Sequence, residues 1–263
     1  MRRRRHRVSG GDPVTEARKP FWISAFLDQA PGEGEASEAF WAAVTGTSLS
    51  TRRGDDGEFA TLVPADGDDH LRVQRLADGP RGVHLDLHVD DVRAGADRLA
   101  GLGAVEVADL GHIIMRSPGG MTFCLVTHPC RVRTSPVVWP DGHRSLVDQV
   151  CLDVPSVLLD AETAFWSRAL ELDVVASATA STFRPLRRDP ALPLRILLQD
   201  IGSGDVVRAH LDLATDDRAA EVARHGSLGA QVVAEHARWT VLADPVGRAY
   251  CVTDRDPSTG LLP

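Results

Sequence analysis

His84-Leu85-Asp86-Leu87 returns further along the chain as His210-Leu211-Asp212-Leu213, and the match is not isolated. Ahead of it, Ala39-Phe40-Trp41 returns as Ala164-Phe165-Trp166, and Leu71-Arg72 as Leu194-Arg195. Behind it, Leu102-Gly103-Ala104 returns as Leu228-Gly229-Ala230. Ser117-Pro118-x-Gly120, followed by Phe123-Cys124, is matched by Asp244-Pro245-x-Gly247, followed by Tyr250-Cys251. One shared tripeptide arises easily by chance; a collinear series at nearly constant spacing marks a duplication. The repeat is too long for a solenoid unit, so each copy is expected to be a domain, over residues 20–129 and 145–257. Residues 130–144, Cys130 to Arg144, carry prolines and a glycine and read as a linker. Residues 258–263 read as a tail.

Within each copy the hydrophobic pattern predicts strand, helix, three strands, then the same again. In the first copy, Trp22–Leu27 opens as a strand, and Ala36–Val44 is a helix with Phe40 and Val44 on one face. Phe59–Val63, Leu71–Leu76 and Gly82–Val89 follow as strands, the last with Leu85 and Leu87 alternating against His84, Asp86 and His88. Asp91 is placed to N-cap a second helix carrying Val92, Ala96 and Leu99. Val105–Asp109, Ile113–Arg116 and Met121–Thr127 complete the set. The second copy repeats the order, with helices near Asp160–Leu170 and Asp217–Arg224. Two βαβββ units per domain, each sheet curling into a half-open, mostly antiparallel cup with helices outside, give an α+β fold.

The bulk properties agree with two ordinary domains. The chain has 263 residues, of which 43% are hydrophobic, enough for two cores. No apolar run approaches the roughly 18 residues of a membrane span. The opening Met1-Arg-Arg-Arg-Arg-His-Arg7 lacks a following apolar region, so residues 1–19 read as a disordered basic tail, or a start codon placed too early. The formal net charge of -8 argues against a nucleic-acid partner. Lys19 is the sole lysine, so the abundance of arginine reflects composition rather than anion binding. None of Cys124, Cys130, Cys151 and Cys251 forms a CxxC pair; no disulfide framework is expected, and a cytoplasmic setting is.

Several local patterns resemble the vicinal-oxygen-chelate superfamily of glyoxalases, bleomycin-resistance proteins and extradiol dioxygenases. The Ala-Phe-Trp helix is one. Val83-His84-Leu85-Asp86-Leu87-His88-Val89-Asp90-Asp91-Val92 looks like the family's strand entering its second helix. Ser117 to Leu125 and Asp244 to Val252 look like its closing hairpin. The resemblance covers almost the whole chain outside the tail and linker and implies two tandem glyoxalase-like domains.

It also implies where a divalent metal would sit, since metal-dependent members use a His on the opening strand, a His on the strand opening the second unit, and a Glu on the last strand. Those slots fall on Ser24, His84 and Cys124 in the first domain, and on Gln149, His210 and Cys251 in the second. Each domain keeps one conventional ligand of three. Two readings follow. Either His84 with Cys124, and His210 with Cys251, form degenerate soft sites, or the metal has been lost and the cysteines are small buried hydrophobes. Two protein ligands are too few for a firm zinc site, so no metal cofactor is assigned.

Other residues have two readings each. His84 and His210 are the candidate acid–base groups. Asp86 and His88 share a face with His84, but about 7 Å of strand separates alternate residues, which favours a hydrated strand edge. Arg72, Gln74 and Arg195, if they face a cup, suit a ligand carboxylate or phosphate; if outward, they are ordinary surface. His112 and Trp239 fall where an aromatic ring could floor a pocket. Trp41 and Trp166 read as packing residues. The leading functional expectation is a small-molecule binder, with a natural product as candidate ligand, holding it in a metal-poor cup. The alternatives are a metal-dependent lyase or dioxygenase, and a metal-free enzyme using His84 or His210. A monomer or a homodimer fits equally.

Overall fold

The computed structural model describes residues 18–177 and 179–263. Most of the expected basic tail, residues 1–17, lies outside the described residues.

The first domain runs β1 (Trp22–Gln29), α1 (Gly34–Thr45), β2 (Ser48–Leu49), β3 (Phe59–Val63), β4 (Leu71–Arg75), β5 (Gly82–His88), α2 (Val92–Ala100), β6 (Val105–Asp109), β7 (Ile113–Arg116) and β8 (Thr122–Val126). Its sheet order is β2-β3-β4-β1-β5-β8-β7-β6. The two openers, β1 and β5, run antiparallel side by side at its centre, and each lies parallel to the last strand of its own unit, β4 or β8. The carboxylate of Asp91 accepts the backbone N–H groups of Arg93 and Ala94, so the predicted cap does start α2. Gly46, in the left-handed conformation with φ 62°, ends α1.

The second domain follows after a short strand, β9 (Val137–Val138). It runs β10 (Arg144–Val154), α3 (Leu159–Leu170), β11 (Phe183–Pro185), β12 (Arg195–Asp200), β13 (Arg208–Thr215), α4 (Arg218–Ser227), β14 (Gln231–Glu235), β15 (Trp239–Ala243) and β16 (Ala249–Thr253). The order is β11-β12-β10-β13-β16-β15-β14, with β9 paired on β10. This is the same frame with two departures: β9 is an added strand, and where the first domain has β2 the second has only an isolated bridge between Val174 and Leu186. The linker segment is also more engaged than its prolines suggest. It contributes β9, and its His143 is buried against Glu221 of α4 at 2.7 Å.

Alternation divides each sheet into two faces. On one face Ile23, Ala25, Leu27, Leu85, Leu87, Phe123 and Leu125 are buried with the helices. One continuous apolar cluster spans both domains, because the first helix of each domain packs on the other domain. Trp41 of α1 lies against Tyr250 of β16, centroids 5.2 Å apart, and Trp166 of α3 lies against Phe123 of β8 at 5.5 Å. Arginines pin these crossings at the helix C-termini, where carbonyls lack intrahelical partners. Arg98 donates to the carbonyls of Arg168 and Ala169, and Arg224 to those of Ala43 and Val44. The other face of each sheet carries the polar residues of β1, β5 and β8, or of β10, β13 and β16. This is the cup.

Candidate functional site

In the first cup, Ser24, Phe26 and Asp28 of β1 stand opposite Asp86, His84 and Gly82 of β5, and Asp86 stands beside Cys124 of β8. Sequence reasoning placed His84, Ser24 and Cys124 on one face, and they are. It missed Asp28, whose carboxylate lies 2.8 Å from His84 Nδ1. Burial opposes a charge on His84, but Asp28, with help from Cys124 and Asp86, outweighs it and holds the imidazole well above its usual pKa. Phe26 stacks flat on the imidazole at 4.6 Å and 8°.

Asp86 and His88 are not at a hydrated edge. β5 is central, and both side chains are buried. His88 Nδ1 lies 3.0 Å from the His128 carbonyl and must donate to it, so Nε2 is bare and accepts the Ser24 hydroxyl at 2.7 Å. Burial pushes His88 down to about 4, in keeping with a neutral ring. Arg72 does face the cup, where its Nε donates to Asp69 at 2.7 Å and its Nη1 lies 3.6 Å from Asp86. Gln74 shares that face and is half-buried beside Asp28. His112 is half-buried at the start of β7. The polar groups of the first cup are therefore largely occupied by one another.

The second cup repeats the frame with different contents. His210 Nδ1 lies 2.9 Å from Asp153, the counterpart of Asp28. His210 Nε2 lies 3.4 Å from Asp212 Oδ1 and 3.6 Å from Cys251 Sγ. Burial disfavours the imidazolium, yet the contacts to Cys151, Asp153 and Asp212 hold His210 well above its usual pKa. Asp212 in turn, despite burial, is held below the ordinary carboxylate range by His210, Arg255 and Gln149. Gln149, the opening-strand slot, donates its amide to Asp212 Oδ2. Asp148 sits at a bulge between Val147 and Gln149, which aims it at Arg255.

Where Phe26 covers His84, the second domain has Cys151. A cavity of about 420 Å³ opens there, lined by Cys151, Phe183, Leu197, Arg195, His210 and Trp239. Residues 258–263, read as a tail, approach its mouth: Gly260, Leu261 and Leu262 line it, and the Gly260 carbonyl accepts from Arg195.

The duplication is matched by a known domain. The glyoxalase-like domain family fits residues 24–126 and again residues 149–253. The chain belongs to that family, with two domains in tandem. Among solved structures, this glyoxalase-like chain is similar to the Mn(II)-bound glyoxalase from Novosphingobium aromaticivorans. The identity is 16% and the TM-score 0.61, over 94% of this chain and 87% of that one. A mutant 4-hydroxymandelate synthase from Streptomyces coelicolor matches at 17% identity and TM-score 0.62, over 92% and 94%. A 2,3-dioxygenase from Pseudomonas sp. KL28 matches at 14% and 0.59, over 89% and 92%. At these identities the likeness establishes the vicinal-oxygen-chelate fold and no more. No match is found among curated proteins.

The fold raises the question of a divalent metal, and the residues present can be tested for one. The second cup supplies a nitrogen, a carboxylate oxygen and a sulfur from His210, Asp212 and Cys251, all within 4.8 Å of one another. Asp212 Oδ1 is buried with no hydrogen-bond partner among the described residues. Asp153 accepts from the other ring nitrogen of His210 and fixes its orientation, as carboxylates commonly do behind metal-bound histidines. This donor set fits a zinc-like ion with one position left open. In the first cup His84, Asp86 and Cys124 form the matching cluster, with His84 Nε2 3.9 Å from Asp86. The third donor in each cluster is the aspartate that the sequence reading left out.

Proposed function

We propose that the chain binds a small amphipathic organic molecule in the second cup and that the first cup is chiefly structural. The observation that carries this is the cavity of about 420 Å³ around Cys151, His210 and Trp239. Its volume falls in the usual range of ligand pockets, and it combines an apolar wall with a few convergent polar groups. Thermal-shift screening against small amphipathic molecules tests it. A ligand bound to the native state raises the melting temperature, and the gain is lost when the cup is blocked. If no compound class raises it, the binding reading falls.

A second reading is favoured by one specific observation, the uncapped Asp212 Oδ1 beside His210 Nε2 and Cys251 Sγ. It makes the same cup the site of a metal-dependent lyase or dioxygenase. His210, Asp212 and Cys251 would hold the ion. A divalent ion there supplies Lewis acidity toward vicinal oxygens of a substrate. Asp153 orients His210, and Gln149 and Arg255 hold the other oxygen of Asp212. Metal analysis of the purified protein separates the two readings. One stoichiometric zinc, iron, nickel or manganese, lost in His210→Ala, favours the second. For a metal-free acid–base role, a histidine held in its charged form donates a proton at neutral pH rather than accepting one.

A further inference from the structure

The duplication allows each cup to be compared with its twin, and the arginines differ. Arg72 in the first cup is neutralised by Asp69 and lies close to Asp86. Its duplicate, Arg195 on β12, has the buried Leu192 three residues earlier, where Arg72 has Asp69. No acidic side chain among the described residues forms an ion pair with Arg195. Its Nη1 donates to the Gly260 carbonyl, and its Nε is buried with no acceptor among the described residues.

The nearest acids are committed elsewhere. Asp148 is held by Arg255, and Asp212 by Gln149, with His210 and Arg255 close by. Burial and the neighbouring Arg255 pull Arg195 below its usual pKa, as expected of a guanidinium short of counter-charge. A half-buried guanidinium without a counter-charge is costly to keep. This one lines the cavity together with Phe183, Leu197 and Trp239.

We propose that Arg195 is the recognition residue for a carboxylate-bearing ligand whose apolar or aromatic body lies against Phe183, Leu197 and Trp239. The inference rests on the second cup being the binding site, as argued above. A monoanion fits better than a phosphate dianion, because Asp212 lines the same cavity beside His210. The ligand carboxylate takes the place beside the guanidinium now held by the uncharged Gly260 carbonyl. A planar carboxylate meets a guanidinium with two parallel hydrogen bonds, which one carbonyl cannot supply.

The test uses two matched pairs, 3-phenylpropanoate with its carboxamide and indole-3-acetate with its carboxamide. Each is titrated calorimetrically into the full chain and into variants. In the wild type the acid of at least one pair should bind about tenfold tighter than its amide, the scale of a hydrogen bond to a charged group. Arg195→Leu should erase that preference while leaving amide binding within about threefold. Leu192→Asp, which installs the first cup's counter-charge, should also weaken acid binding and spare the amide. It gives an independent answer should Arg195→Leu fail to fold. Equal binding of acid and amide by the wild type would overturn the carboxylate assignment while leaving the cup as a binding site. If no probe binds, the assignment of an aromatic carboxylate falls, and the thermal-shift screen decides whether the cup binds anything else. A preference that survives in either variant overturns the assignment to Arg195.

Discussion

The indole N–H of Trp41 and the carboxylate of Asp244 meet at 2.9 Å across the boundary between the two domains, both fully buried. The equivalent indole, that of Trp166, is satisfied differently. It donates to Glu162 on its own helix at 2.8 Å, and Glu162 also accepts the backbone N–H of Gly119 in the opposing turn. The carboxylate has changed sides between the two copies. Where the turn offers Asp244 the helix has Ser37, and where the helix offers Glu162 the turn has Ser117.

This exchange predicts a compensated pair of mutations. Asp244→Ser leaves a buried indole without its acceptor and exchanges the two backbone bonds that Asp244 Oδ1 accepts from Val246 and Arg248 for the single one that Ser117 Oγ accepts from Met121 in the first copy. It should cost about 2–4 kcal/mol in urea unfolding. Ser37 Oγ is buried with no partner among the described residues, and a carboxylate there can take the Trp41 indole N–H that Asp244 gives up. Ser37→Glu added to Asp244→Ser should recover about half of the loss. A double variant no more stable than the single one would show that the two arrangements are not interchangeable.

The protonated state of the cup histidines makes stability depend on pH with a definite sign. His84 and His210 are both held well above the usual 6.5, so the folded state binds their protons more tightly than the unfolded chain. The resulting stabilisation is full below about pH 6.5 and is lost as pH rises through the folded values. Asp28→Asn should flatten that decline for its share. Histidine NMR should show the His84 and His210 imidazoles still protonated at pH 7.5, while His88, pushed down to about 4, stays neutral. Two neutral cup histidines at that pH would remove the charge from both clusters.

Much of this was legible in the sequence because the duplication fixes register. Once His84-Leu85-Asp86-Leu87 and its repeat are set as strands, alternation puts His84 with Asp86 and His88 on one side. A family pattern then adds Cys124 and Ser24. Asp28 and Asp153 also repeat, at the same displacement as Phe40-Trp41 and Phe165-Trp166, and that signal was there to be read. What separates the two cups was harder. Leu192 in place of Asp69 and Cys151 in place of Phe26 matter only once their neighbours are known. The bulge at Asp148 breaks the alternation from which a face is deduced. The hydrated-edge reading of Asp86 and His88 failed because strand order, which puts β5 at the centre, does not follow from periodicity.

The four cysteines are all buried and unpaired. Burial raises every one of their pKa values, to about 11 for Cys130 and about 12 for Cys151. The thiolate is the reactive form, so a thiol reagent at pH 8 should label the native protein far more slowly than the same chain in guanidinium. Rapid labelling of Cys251 in the native protein would instead mean that its sulfur is exposed and ionised beside His210. Protection of Cys251 by added zinc ion, with Cys130 unaffected, is the result expected from the metal reading.

One of the substitutions that separate the two cups, Cys151 for Phe26, can be reversed. Phe26 lies flat on His84 and fills the first cup, whereas Cys151 occupies the same register position beside His210. Replacing Cys151 by Phe restores the first cup's arrangement in a frame that already holds it once, and here the added ring enters a cavity rather than a packed core. The cost in stability should therefore be below the 1–3 kcal/mol typical of overpacking. Ligand-induced rises in melting temperature should vanish, because the ring takes the space beside His210 and Trp239. The reciprocal change, Phe26→Ala, removes a buried aromatic and should cost about 3–5 kcal/mol. A ligand that still stabilises Cys151→Phe as strongly as the wild type binds somewhere other than the second cup.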